Sequence, residues 1–161
     1  MQGEELLRRL DKVVPLSCDV YLYSIDSHWC RPVRLPSLYI LNTDLGVDSG
    51  EHFVSFYVAK DKSCTYFDSF GFGPRNSLRD YWTQQGFRPV RYSQRLLQDP
   101  FSETCAFYQI AFASLITNGG KLRDFLALLT DNTQVNDRAI IEFVKKLPLL
   151  AEPLASRAPS L

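Results

Sequence analysis

The chain has 161 residues, 45% hydrophobic and 13% aromatic, which is enough apolar mass for one domain with its own core and too much for a disordered segment. Lysine plus arginine and aspartate plus glutamate each number 18, so the net charge is zero and nothing advertises nucleic acid or an anionic membrane as a partner. The apolar runs are too short to cross a bilayer, the charged N-terminal stretch is no signal peptide, and Cys18, Cys30, Cys64 and Cys105 form no C-x-x-C pair, so free thiols in a reducing compartment and a protein that is not secreted are expected.

Leu6, Leu7 and Leu10 recur at helical spacing among charged residues, which predicts a short surface helix over 4–13. "CDVYLYS" (18–24) and "SLYILN" (37–42) predict strands, separated by the two-proline loop "IDSHWCRPVRLP". "EHFVSFYVA" (51–59) predicts a strong strand that turns through "KDKS" into a second, "CTYFD" (64–68). "SFGFGPRN" is a glycine-rich loop; Asn76 is placed to cap a helix running to Gln85, with Gly86 ending it. "FRPVRYS" predicts a short strand. The helix that follows Ser102 is apolar on nearly every side, the mark of a helix at the centre of a fold, and Asn118-Gly119-Gly120 stops it. Two more helices are expected near 121–130 and 137–146, and a frayed tail over 148–161. No repeat or linker interrupts the pattern, so the expectation is a single domain over 1–161 of class α+β.

Cys105 stands where that central helix begins, in "QDPFSETCAFYQIAFASL". Two readings compete there. A small apolar thiol suits a core helix. A nucleophilic cysteine works as its thiolate, which the unpaired N–H groups of a helix first turn stabilise. Either Ser102 or Asp99, with Pro100 behind it, is a plausible cap, and both keep Cys105 within the first two turns.

A thiolate also needs a base, and the chain holds two histidines, His28 and His52. His52 opens the strongest strand, and Asp68, sixteen residues on, ends the strand that returns beside it. If the hairpin pairs 58 with 64, His52 lies opposite residue 70 and Asp68 is its diagonal neighbour, about 7–8 Å away at Cα and within reach of the imidazole. An even loop would separate them, and Asp68 also reads as a plain turn residue ahead of Ser-Phe-Gly. Gln98, seven residues before Cys105, can fold back as a second oxyanion donor beside the Cys105 backbone N–H, or stand solvated. No metal site is expected, since the cysteines and histidines show no ligand-pair spacing; His28 and Cys30 come nearest.

The order His52, Asp68, Gln98, Cys105 resembles the adenovirus endopeptidase (adenain) family of cysteine proteases and the wider clan that includes SUMO-deconjugating proteases. "YILNTDLGVDSGEHFVSFY", "CTYFDSFGFG", "QDPFSETCAFYQIAF" and the following "LITNGG" carry the likeness, which spans about 16–147; the Phe-Asp-Ser-Phe-Gly wording is most similar to proteases of Polinton/Maverick elements and adintoviruses. The resemblance implies a papain-like, adenain-like fold, in which a central helix bearing the cysteine packs on a mixed, twisted sheet with flanking helices. It implies Cys105 as nucleophile, His52 as base, Asp68 as the group orienting the imidazole and Gln98 as oxyanion donor. It further implies capsid or other virion precursor polypeptides as substrates, cut near glycine during virion maturation, by a monomer in the virion or the host cell interior. Phe53 stands where the family usually has Trp after the base, and Ala106 where it usually has Gly after the nucleophile. Adenain is activated by a disulfide-linked peptide and by DNA. "GFRPVRYSQRLLQD" has no cysteine for the first and the neutral chain offers little to the second, so no cofactor is expected. A deconjugase of ubiquitin-like modifiers and a catalytically inactive binding module of the same fold are the competing readings.

Overall fold

The computed structural model describes residues 1–25, 27–43 and 52–147. The approach to His52 over 44–51 and the tail 148–161 lie outside the described residues.

Five strands lie in one sheet in chain order: β1 (Asp19–Ser24), β2 (Ser37–Asn42), β3 (Phe53–Val58), β4 (Ser63–Phe67) and β5 (Arg88–Tyr92). The β1–β2 and β4–β5 pairs are parallel and the two inner pairs antiparallel, so the sheet is mixed. Strands β1 to β4 are short and rich in aromatic or branched residues, and alternate side chains on β3 and β4 sort to opposite faces. Phe53 and Phe67 enter one core, whereas Val54, Phe56, Val58, Cys64 and Tyr66 enter a second. The second core is closed by α2 (Asn76–Gln85) through Leu78, Tyr81 and Trp82.

The first core is built around α3 (Cys105–Ile116), flanked by β3, α1 (Gly3–Asp11), α4 (Leu122–Leu126) and α5 (Thr133–Lys145). Nine of its residues, from Cys105 to Ile116, are buried. A helix without a polar face can be stable only where neighbours cover it on all sides, and this one takes the central position. The architecture is therefore an α+β domain with a mixed sheet and helices on both faces. Among the described residues no helix is long and apolar enough to cross a membrane. All four cysteines are unbridged.

Helix starts are where the structure departs from the sequence pattern. The cap of α3 is Thr104, not Ser102 or Asp99, and Cys105 is the first helical residue. Ser102 is otherwise engaged, because its carbonyl and hydroxyl both receive the Gln98 amide, and the Asp99 carboxylate accepts the Phe101 N–H at 3.0 Å to form a turn of its own. Asn76 is the first residue of α2 rather than its cap, which is Arg75; Gly86 ends that helix in the left-handed region, at φ 72°. The fourth helix is shorter than the expected 121–130. The fifth starts at Thr133 rather than 137, because the Asn132 side chain caps it by accepting the Val135 N–H at 3.1 Å.

Candidate active site

The β3–β4 hairpin pairs Val58 with Cys64 and Ser55 with Phe67. That is the register in which residue 52 falls opposite 70, with 68 on the diagonal. At the hairpin's open end the His52 Nε2–H donates to Asp68 Oδ1 across 3.0 Å. A carboxylate only accepts, so the bond puts a proton on Nε2 and leaves Nδ1 as the ring nitrogen for another partner. The His52 side chain also hydrogen-bonds with the Cys105 side chain. His52 retains 20% of its side-chain exposure, while Asp68 and Cys105 are both 5% exposed as residues. Burial works against the charged imidazole, but the bonds to Asp68 and Cys105 outweigh it, and the His52 pKa is raised from 6.5 to about 9.

Three consecutive residues after β4 organise this end of the molecule. Asp68 Oδ1 also accepts the Phe70 N–H at 2.9 Å, so the residue is at once a turn former and the partner of His52. Phe70 stacks its ring on the imidazole, with centroids 4.4 Å apart and planes 18° from parallel. Between them Ser69, with no exposure, donates its hydroxyl to Gln98 Oε1 at 2.6 Å, and its carbonyl accepts the N–H groups of Leu97 and Gln98. Gly71 closes the turn at φ 79°, pressed against the backbone of Gln94 and Arg95.

Gln98 is 1% exposed, and both ends of its amide are used. Oε1 accepts from Ser69; Nε2 donates to the Ser102 carbonyl at 3.0 Å and, more weakly, toward the Ser102 hydroxyl at 3.3 Å. The carbonyl of Ser102 can only accept, which fixes which end of the amide faces it. Gln98 is thus locked into the loop that leads to Cys105, with one N–H only loosely held.

α3 is pinned on β3 by a polar pair inside the apolar core. Gln109, one turn after Cys105, donates to the Phe53 carbonyl at 2.9 Å and accepts from the buried Ser55 hydroxyl. Unsatisfied, a buried amide is costly, so this pair fixes how far the helix can slide along the strand, and hence Cys105 against His52. Ala106 is 1% exposed within the core cluster, and Phe53 is equally buried.

The structure therefore brings His52, Asp68 and Cys105 together, and fastens Gln98 to the segment that follows Asp68. His28 and Cys30 stay on an exposed loop. Ser69, Phe70, Gln109 and Ser55 were not singled out by the sequence pattern. Gln109 did leave a signal, as a polar residue four places after Cys105 in an otherwise apolar helix. Ser69 left none, because a serine in a glycine-rich loop reads as solvated.

No family model and no curated protein matches the sequence. Among solved structures the fold is similar to the pS273R protease of ASFV: one crystal structure aligns over 83% of this chain and 61% of its own, with a TM-score of 0.56 and 17% identity. A selenomethionine form of the same protease aligns over 71% of this chain and 44% of its own, with a TM-score of 0.52 and 19% identity. The chain thus spans 44–61% of the length of those protease chains, and the likeness is one of fold.

Proposed function

We propose that the protein is a cysteine endopeptidase in which Cys105 is the nucleophile, His52 the base and acid, Asp68 the group orienting the imidazole and Gln98 an oxyanion donor. The observation that carries the reading is His52 held between Asp68 and a cysteine that begins the central helix. His52, beside the sulfur, is placed to take the thiol's proton. The thiolate attacks the scissile carbonyl, and the negative charge on its oxygen is met by the Cys105 N–H and by the loosely held N–H of Gln98. His52 then gives its proton to the departing amine. In the second half it takes a proton from water, which hydrolyses the thioester. No metal, nucleic acid or peptide cofactor enters this scheme.

Polypeptide substrates fit the surroundings. Phe72 and Phe101, 69% and 97% exposed, stand on the loops that follow Asp68 and precede Cys105, where large apolar side chains in water commonly meet a partner. The adenain-like sequence wording narrows the substrates to capsid or other virion precursors, cut near glycine during virion maturation in an infected cell or an element's particle, with the enzyme acting as a monomer.

The test is digestion of a proteome-derived peptide library, read by mass spectrometry beside Cys105→Ala and His52→Ala proteins. Cuts clustered near glycine that vanish in both variants are expected. Absence of cuts, or cuts that survive Cys105→Ala, would overturn the reading. Selective release of a ubiquitin-like modifier from its conjugates would move the activity to deconjugation.

A further inference from the structure

We propose that Ser69 is a positioning residue that couples the two halves of the site, a role that rests on the reading of Gln98 as an oxyanion donor. Asp68 and Ser69 are adjacent, yet each holds a different part of the machinery. The Asp68 carboxylate holds His52 at 3.0 Å, and the Ser69 hydroxyl holds Gln98 at 2.6 Å. Ser69 also fixes the Gln98 backbone, since its carbonyl accepts the Leu97 N–H at 3.0 Å and the Gln98 N–H at 3.1 Å. The base and the oxyanion donor therefore hang from one dipeptide, and their separation is set by a single peptide unit.

The hydroxyl contributes polarisation as well as position. A donor on the amide oxygen withdraws electron density from the amide nitrogen and strengthens its N–H groups as donors. One of those N–H groups is committed to the Ser102 carbonyl and the other is held at 3.3 Å, so the gain goes to the hydrogen that is available when an oxyanion forms. Ser69 has no exposure, so its hydroxyl acts through Gln98 rather than on substrate.

The experiment is a double-mutant cycle of Ser69→Ala and Gln98→Ala, with kcat, KM and the rate of Cys105 alkylation measured for each protein. Ser69→Ala is expected to lower kcat about tenfold with KM within twofold, to leave the alkylation rate unchanged, and to have no further effect in the Gln98→Ala background. Ser69→Cys, close in volume with a weaker donor, is the variant to use if alanine fails to fold, and the same pattern at a smaller loss is expected. An unchanged kcat, or a loss that persists undiminished in the Gln98→Ala background, would overturn the coupling. A wild-type protein with no Cys105-dependent cleavage would instead overturn the reading of the site itself, and the coupling with it.

Discussion

His52 is pulled two ways, by burial against its charge and by the Asp68 and Cys105 bonds in favour, and ends with a pKa of about 9 where an unfolded histidine has 6.5. A group whose folded pKa is raised stabilises the fold fully below its unfolded value and loses that contribution as pH rises through the folded one. Unfolding free energy should therefore fall between about pH 6.5 and 9, by up to about 3 kcal/mol at 1.36 kcal/mol per pH unit. Denaturant titrations of the wild type and of His52→Ala across that range check this; the variant should lose the slope, and parallel curves would contradict it. Gln98→Ala should cut kcat by about a hundredfold, the usual cost of losing one oxyanion donor, yet barely change the alkylation rate of Cys105, because the sulfur's charge partner is His52. Equal losses in both measurements would mean that Gln98 only props the loop.

At the scale of elements, the hairpin shows how far a sequence carries. Alternation and turn chemistry placed two strands, and one pairing, Val58 with Cys64, sets Asp68 beside His52. The strand 37–42 was legible to the residue, and the helix ending at Gln85 to within one residue at its start, because both end in strong punctuation. The start of α3 was not, since Asp99 and Ser102 both read as caps, and Thr104, which takes the position, makes no side-chain cap bond. The competition is decided by Gln98, four residues upstream, whose amide takes the Ser102 groups through side-chain bonds that the pattern does not record. The same holds for Ser69, whose partner is 29 residues away. Gly71 offers a direct test of the loop they share. A Cβ there would sit 2.6 Å from the Arg95 carbonyl oxygen, at a positive φ that side chains avoid. Gly71→Ala should cost about 2–3 kcal/mol and lower Tm by roughly 5–10 °C in a thermal scan. A variant as stable as wild type would mean that the loop yields freely.

For the molecule as a whole, the helices beyond α3 hold the site from behind. The Leu97 carbonyl accepts the Tyr108 hydroxyl at 3.0 Å and the Asn136 amide at 3.1 Å, and Asn136 also bridges to Thr130. Arg95 reaches the carbonyls of Leu126, Leu129 and Thr130, tying the same loop to the end of α4. Asn136 is 1% exposed, and Asn136→Ala removes its bonds to the Leu97 carbonyl and to Thr130 at once. It should destabilise by about 2–3 kcal/mol and, by loosening Leu97, lower turnover as well; chemical denaturation beside steady-state kinetics checks both. A stable variant with reduced turnover would place the effect in loop position alone.

The clamp on Leu97 is made of residues that lie downstream of everything it holds. His52, Asp68, Gln98 and Cys105 are all synthesised before α5, which begins at Thr133. A chain leaving the ribosome folds from its N-terminal side at the pace of translation. It carries its nucleophile and its base for some thirty residues before it has the helix that aligns them. On the proposed function, activity then waits on a helix made after every residue of the site, and a nascent chain would be spared attack by its own unfinished site.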